Sequence, residues 1–235
     1  MISFIIHTQF KKQRMLFLGL LGIAFVPFVL TLSRSGWISF FPMYLTFFFI
    51  PHRFRPLMFA GLLVLIIVMV FAPPERVRMR LMETFAPEKT YKVLGKEFEL
   101  AESAAARIDS WKIGFQRWAK RPFVGHGIPA GAVIDNQYMR VLSETGLIGL
   151  LAFLWVIKAL LTAGWQVYVK LRENGFAQAV SFGFIAGLIG LLMLSSSAAV
   201  FILIRIMEPF WFLAAIIIIL PELIHTQNNA YPINS

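Results

Sequence analysis

DNQYMRVLSETGLIGLLAFLW, Asp135 to Trp155, decides how this chain is read. It begins with an acid, an amide and a phenol, then passes without interruption into an apolar run of the kind that crosses a bilayer. A span needs about 20 mainly apolar residues, and the one predicted from this stretch covers Val141 to Trp165. Comparable segments run from Met15 to Leu32, Gly36 to Ile50, Leu57 to Ala72, Phe176 to Leu194 and Val200 to Leu220. The second and third of these are short enough to borrow flanking residues. Of the 235 residues 58% are hydrophobic and 14% charged, and the mean hydropathy is +0.73, outside the range of soluble domains. The expected fold is all-α, a polytopic transmembrane helical bundle of five to six spans with one helical periplasmic loop.

The absence of cysteine excludes disulfides and thiolate metal sites. The net charge of +10 suits anionic headgroups or phosphate-bearing substrates, and with this hydropathy membrane lipid is the expected partner, not nucleic acid. Lys11, Lys12 and Arg14, then His52, Arg53 and Arg55, then Lys170 and Arg172 flank alternate crossings. The positive-inside rule puts all three clusters in the cytoplasm, although Arg76, Arg78 and Arg80 lie near a span on the outward side. Arg34, the segment 73–140 and the Ser195-Ser196-Ser197 turn then face outward, into a periplasm-like space. Residues 1–235 read as a single membrane domain with 73–140 as its outward loop. The opening MISFIIHTQFKKQR places its apolar run before its charges, unlike a secretory signal, and reads as the end of an earlier cytoplasmic segment. The polar tail after Pro221 is expected to be loose.

Within the outward loop a helix is predicted from Ala101 to Arg121, with Ser103 as N-cap and Pro122 after its end. Helical spacing gathers Arg107, Ile108, Trp111, Gly114, Phe115 and Trp118 on one side, opposite Asp109, Lys112, Gln116, Arg117 and Lys120. Such a helix lies at the bilayer interface with Arg107 snorkelling, a position equally suited to gripping a lipid-linked phosphate. PFVGHGIPAG, Pro122 to Gly131, carries glycines either for a re-entry turn or for a nest of amides facing an anion. It lacks both the Gly-Lys-Ser/Thr ending and the preceding strand of a nucleotide loop. His126 stands without the partners a metal site needs, so no metal and no cofactor are expected.

Asp135 occupies an N-cap position, but Asn136 and Tyr138 add more hydrogen-bonding groups than one cap requires. Arg140 and Glu144 are spaced to pair. Arg34, in the turn TLSRSGW, is either an anchor or a ligand for an anion at the outer face. Arg205 and Glu208, at i,i+3 in the last span, are spaced to neutralise each other while lining the same cavity.

TLSRSGW, then RIDSWKIGFQRWAKRPFVGHG, then DNQYMRVLSETGLIGLLAF resemble, in this order, the O-antigen ligase and O-antigen polymerase superfamily of bacterial envelope glycan enzymes. The resemblance runs from Thr31 to about Phe153 and corresponds to the C-terminal portion of the family, which points to a fragment or to an N-terminal membrane partner chain. It implies a multi-pass inner-membrane glycosyltransferase whose active face is periplasmic. Such an enzyme moves a glycan from undecaprenyl diphosphate to an acceptor glycan or lipid A-core, in lipopolysaccharide or exopolysaccharide biosynthesis, without nucleotide sugar or metal. By position, Arg34 matches the arginine of the Ser-Arg-Gly element and Arg107 the loop arginine one helical turn before a tryptophan, both diphosphate ligands. Asp135 stands where ligases have a histidine before Asn-x-Tyr, a departure that leans toward polymerases.

The implied catalytic set is Asp135, Arg107 and Arg34, with Asn136, Tyr138, Trp111, His126 and Arg205 binding substrate. Guanidinium groups stabilise charge developing on the departing diphosphate, and a carboxylate accepts the proton of the attacking hydroxyl. The rivals from other classes are a lipid-linked glycan flippase and a non-catalytic truncated subunit.

Overall fold

The computed structural model describes residues 1–8, 10–31, 33–49, 89–93, 96–100, 102–128 and 134–230, with Phe59, Leu62, Leu63 and Met79. The predicted span Leu57 to Ala72 and the arginines at 76, 78 and 80 lie outside this set, apart from three positions in the span. The helices are α1 (Ile2–His7), α2 (Lys11–Leu30), α3 (Arg34–Leu45), α4 (Glu102–Lys120), α5 (Gln137–Lys170), α6 (Gly175–Leu194) and α7 (Ile204–Ala230). Short 3-10 turns follow α3 at Thr46–Phe49 and precede α7 at Val200–Ile202. Among the described residues α2, α5, α6 and α7 are long and apolar enough to cross a membrane, and the architecture is the expected helical membrane bundle.

α6 is the central helix, because it packs against α1, α3, α5 and α7. Small residues at these contacts permit this: a Cβ on Gly164 of α5 would come within 3.0 Å of Ile185, and one on Gly190 of α6 within 3.2 Å of Met43, the close approach by which membrane helices gain packing. One apolar cluster joins Ile157 and Leu160 of α5 to Leu188 of α6 and Phe210, Ala214 and Ile217 of α7. A second joins Ile6, Tyr44 and Phe47 to Phe182 and Ala186. Large side chains such as Ile23, Ile148, Trp155 and Phe212 are exposed, as lipid-facing positions must be.

Several local expectations are corrected. α5 is not one uninterrupted helix, for Gly146 has φ 68° and ψ −167°, a region essentially confined to glycine. The membrane crossing is therefore the stretch after this break, and residues 137–145 form a separate helical arm. α3 starts at Arg34, ahead of the predicted Gly36, where Ser33 caps it by accepting from the Gly36 amide at 3.2 Å. α4 begins at Glu102, so Ser103 lies inside the first turn and does not cap it. α7 continues through Pro221 to Ala230 where a loose tail was expected. The loop also contains an antiparallel hairpin of β1 (Lys89–Val93) and β2 (Lys96–Leu100), with Tyr91 opposite Phe98.

The break in α5 is closed by the chain that follows α4. The amides of His126 and Gly127 donate to the carbonyls of Ser143 and Glu144 at 3.0 and 2.8 Å. The amides of Leu147 and Ile148 donate to the carbonyls of Pro122 and Phe123 at 2.8 and 3.3 Å. Gly125 (φ 67°) makes the fit possible, since a Cβ there would collide with the Glu144 carbonyl. Gly146→Ala would strike the Phe123 carbonyl as well as strain the backbone. It should cost at least about 1–3 kcal/mol, whereas Gly22→Ala, in helix and open space, should be neutral or slightly stabilising. Thermal unfolding in detergent would measure both, and equal midpoints for the two variants would contradict the constraint at Gly146.

Candidate functional site

The polar residues gather at one end of the bundle, where α2 ends, α3 begins, α6 turns into α7, and α4 lies along the first stretch of α5. α4 packs on this stretch through its small residues. Gly114 faces Ile134 and Met139, where an added Cβ would be 3.3 Å from the Met139 Cβ. Buried Ser110 accepts at Oγ from the Asp135 amide at 3.0 Å. The aromatic stripe predicted as a single face with Gly114 is thus divided. Trp111 and Phe115 are exposed, 42% and 53%, and do not form the packed side.

The start of α5 is fastened to the turn after α6. Asn136, not Asp135, is the N-cap, its Oδ1 accepting from the Met139 amide at 2.9 Å. Its Nδ2 donates to the Ser196 carbonyl at 2.7 Å. The Gln137 amide donates to the Ser195 carbonyl at 2.9 Å, and the Gln137 Oε1 accepts from the Phe201 amide at 3.1 Å. The Tyr138 hydroxyl donates to the Leu192 carbonyl at 2.6 Å. Three consecutive side chains therefore serve backbone groups. Asp135, displaced one residue ahead of the cap, is exposed and its carboxylate has no partner among the described residues.

A cleft of about 410 Å³ joins three of these elements. Ser35 and Ser39 come from α3, Arg107 and Trp111 from α4, and Ser196 and Ser197 from the turn after α6. Arg34 is the first residue of α3, so the backbone of that position stands one residue from the cleft wall. An apolar groove of about 500 Å³ lies beside it between α2, α3 and α6, lined by Phe25, Phe28, Phe40 and Leu191 and sharing Ser39 with the cleft.

The remaining expected residues lie elsewhere. His126 belongs to the segment strapped over the break in α5, and its Nδ1 is buried without a hydrogen-bond partner. The amides of Gly125, His126 and Gly127 all bond to protein carbonyls, so they form no nest for an anion. Arg140 and Glu144 pair at 3.0 Å, nearly buried. Arg205 and Glu208 do not pair; both are exposed, and Arg205 is not among the cleft's lining residues. Among the described residues no three His, Asp or Glu side chains cluster as metal ligands would. Sequence reasoning missed Ser110, Ser35, Ser39 and the lining role of Ser196 and Ser197. A serine one turn after Arg107 was the available signal for Ser110.

A family model described as O-antigen ligase matches residues 19–154, more than half of the chain. No curated protein and no solved structure matches it. Asn136→Ala should lower stability by about 1–2 kcal/mol through loss of the cap. Ser110→Ala, which leaves the Asp135 amide unpaired, should cost about 1–3 kcal/mol. Arg205→Ala should stay within about 0.5 kcal/mol. Thermal midpoints of the three purified variants test this order, and an Arg205 effect equal to that of Asn136 would contradict it.

Proposed function

The chain belongs to the O-antigen ligase family, and from that premise we propose that it transfers a glycan from undecaprenyl diphosphate to an acceptor sugar at the periplasmic face of the bacterial inner membrane. The observation that carries this reading is the cleft in which Arg107 of α4, the first turn of α3 and the serine turn after α6 meet, at the end of the bundle that also holds the unpartnered Asp135. The family membership itself supports a membrane glycan-processing function of the ligase or polymerase type. The donor, the face and the residue roles are the proposal.

The donor's diphosphate occupies the cleft. Arg107 faces it, and the positive end of α3, with Arg34 as its first residue, favours an anion there. The neighbouring groove accepts the first part of the polyprenyl chain, since shared Ser39 puts apolar and polar walls side by side. In the reaction the bond between the anomeric carbon and the diphosphate oxygen breaks, with the electron pair leaving on the diphosphate. The acceptor hydroxyl oxygen bonds to that carbon, and its proton passes to the Asp135 carboxylate. Arg107 and Arg34 stabilise the charge that develops on the leaving group, an interaction strengthened where water is partly excluded. Trp111, exposed beside Arg107, offers an apolar face to a sugar ring. Asn136 and Tyr138 act by holding the start of α5, and His126 by its place in the strap. Arg205, outside the cleft, has at most a contact with a distal part of the glycan.

The test is complementation of a strain lacking its own glycan polymerase or ligase, read as a glycan ladder at matched protein levels. Arg107→Ala and Asp135→Asn should each reduce transfer by about 100-fold or more, the range for loss of a preorganised charge or an acid-base group. Gly187→Leu, placed where a Cβ meets nothing within 4 Å in the groove wall, should weaken use of long-chain donors more than of short-chain ones. A ladder undiminished by both charge variants would overturn the proposed roles. Movement of the lipid-linked glycan across vesicles without covalent change would favour a flippase.

A further inference from the structure

The segment that straps the break in α5 carries an unusual surface for a loop. Phe123, Val124 and Ile128 are 65%, 68% and 73% exposed, in a stretch whose backbone is held by hydrogen bonds at Gly125, His126 and Gly127. Loops facing water are polar, and three large apolar side chains held outward by a fixed backbone have to meet something other than water.

Their position identifies what they meet. The carbonyls of Pro122 and Phe123 bond to the amides of Leu147 and Ile148, the residues at which the exposed apolar surface of the α5 crossing begins, continuing through Leu151 and Trp155. The loop surface is thus continuous with the lipid-facing surface of a span. From Leu147 to Lys170 the helix is about 36 Å long at about 1.5 Å per residue, against a hydrocarbon core of about 30 Å. Its upper end therefore lies at the boundary of acyl chains and headgroups. Exposed Lys120 and Arg121 immediately precede the apolar residues, at the level where lipid phosphates lie. The exposed Trp111 of α4 is of the residue type enriched at that depth.

We propose that the segment from Arg121 to Ile128 is a membrane wedge, inserting Phe123, Val124 and Ile128 into the acyl boundary of the leaflet on the Asp135 side while Lys120 and Arg121 engage anionic headgroups. The wedge holds α4 in the headgroup layer, so Arg107 stands at the depth of a lipid-linked phosphate. This last consequence rests on the proposed function; the insertion itself does not. A substrate anchored in the leaflet then reaches the cleft by lateral movement without leaving the membrane.

The absence of cysteine permits a direct test with single-cysteine variants of the whole chain. Nitroxide-labelled Phe123→Cys, Val124→Cys and Ile128→Cys would be reconstituted in phosphatidylethanolamine and phosphatidylglycerol vesicles, with Leu151→Cys as lipid reference and Lys112→Cys as water reference. Relaxation by oxygen, which concentrates in lipid, is compared with relaxation by a water-soluble nickel chelate. The wedge requires oxygen to exceed nickel accessibility several-fold at all three positions, as at Leu151, and the reverse at Lys112. Nickel-dominated accessibility at these positions would place the loop in water. Low accessibility to both reagents would mean that protein covers it. Either result overturns the proposal, and neither bears on the transfer assay, because the measurement needs no turnover.

Discussion

A break in a membrane helix leaves backbone amides and carbonyls that lipid cannot satisfy, and each unpaired group costs several kcal/mol. At Gly146 the chain turns through a conformation open to glycine, and the carbonyls of Ser143 and Glu144 and the amides of Leu147 and Ile148 find their partners in residues 122–127. The break and the loop therefore require each other. Without the loop the break would be too costly, and without the break the loop would have no row of unpaired groups to meet. The exchange fixes the end of α4, because the Trp118 indole donates to the same Pro122 carbonyl that receives the Leu147 amide.

The other end of the α5 arm is fixed by a second set of bonds, and these account for most of the polar character of its sequence. Asn136, Gln137 and Tyr138 each reach backbone groups in or near the turn between α6 and α7. What reads as an excess of hydrogen-bonding groups is a clamp between segments some 60 residues apart in sequence. The arm between the two clamps carries Arg140 and Glu144, which form an ion pair with each other. Asp135, just outside the cap, is the group in this row left with its carboxylate free, and that distinguishes it from its neighbours more clearly than residue type does.

Hydropathy made the spans legible because burial in lipid requires uninterrupted apolar length, and α2, α5, α6 and α7 coincide with segments read that way. The helix that carries Arg107 was legible from its apolar spacing and the proline after its end. Gly146 was not, since Thr-Gly-Leu in an apolar helix looks the same whether the glycine packs or breaks; only the distant loop decides it. The cap moved from Asp135 to Asn136 because both residues are good caps, and the Ser196 carbonyl, invisible locally, selects the one that can also donate. The hairpin at Lys89–Leu100 has alternating residues in KTYKV and KEFEL, a pattern easily outweighed by the helical character around it. For α4 one stripe holding Gly114 together with the aromatic residues was expected to lie at the bilayer interface, and periodicity alone could not show that Ser110 and Gly114 pack on α5 while Trp111 and Phe115 stay exposed. Beside a bilayer small residues serve the protein contact and aromatic ones face outward.

That division of α4 sets the direction of Arg107. Along α4, Ser110 and Gly114 form the row against α5, and Arg107 and Trp111 form the adjoining row on the cleft. At about 100° per residue the two rows are separated by only about 60° around the helix axis. A helix held at one point could turn through such an angle at little cost, carrying Arg107 into the α5 contact or away to lipid. α4 is held at two points, by the Ser110 hydroxyl at Asp135 and by Trp118 at Pro122, while Gly114 admits Met139 so closely that a Cβ in its place would stand 3.3 Å from the Met139 Cβ. The direction of the arginine is therefore set by the size of its neighbours. The fixation of Arg107 on the cleft thus comes from the residues that pack and fasten α4 and not from any partner of the guanidinium among the described residues.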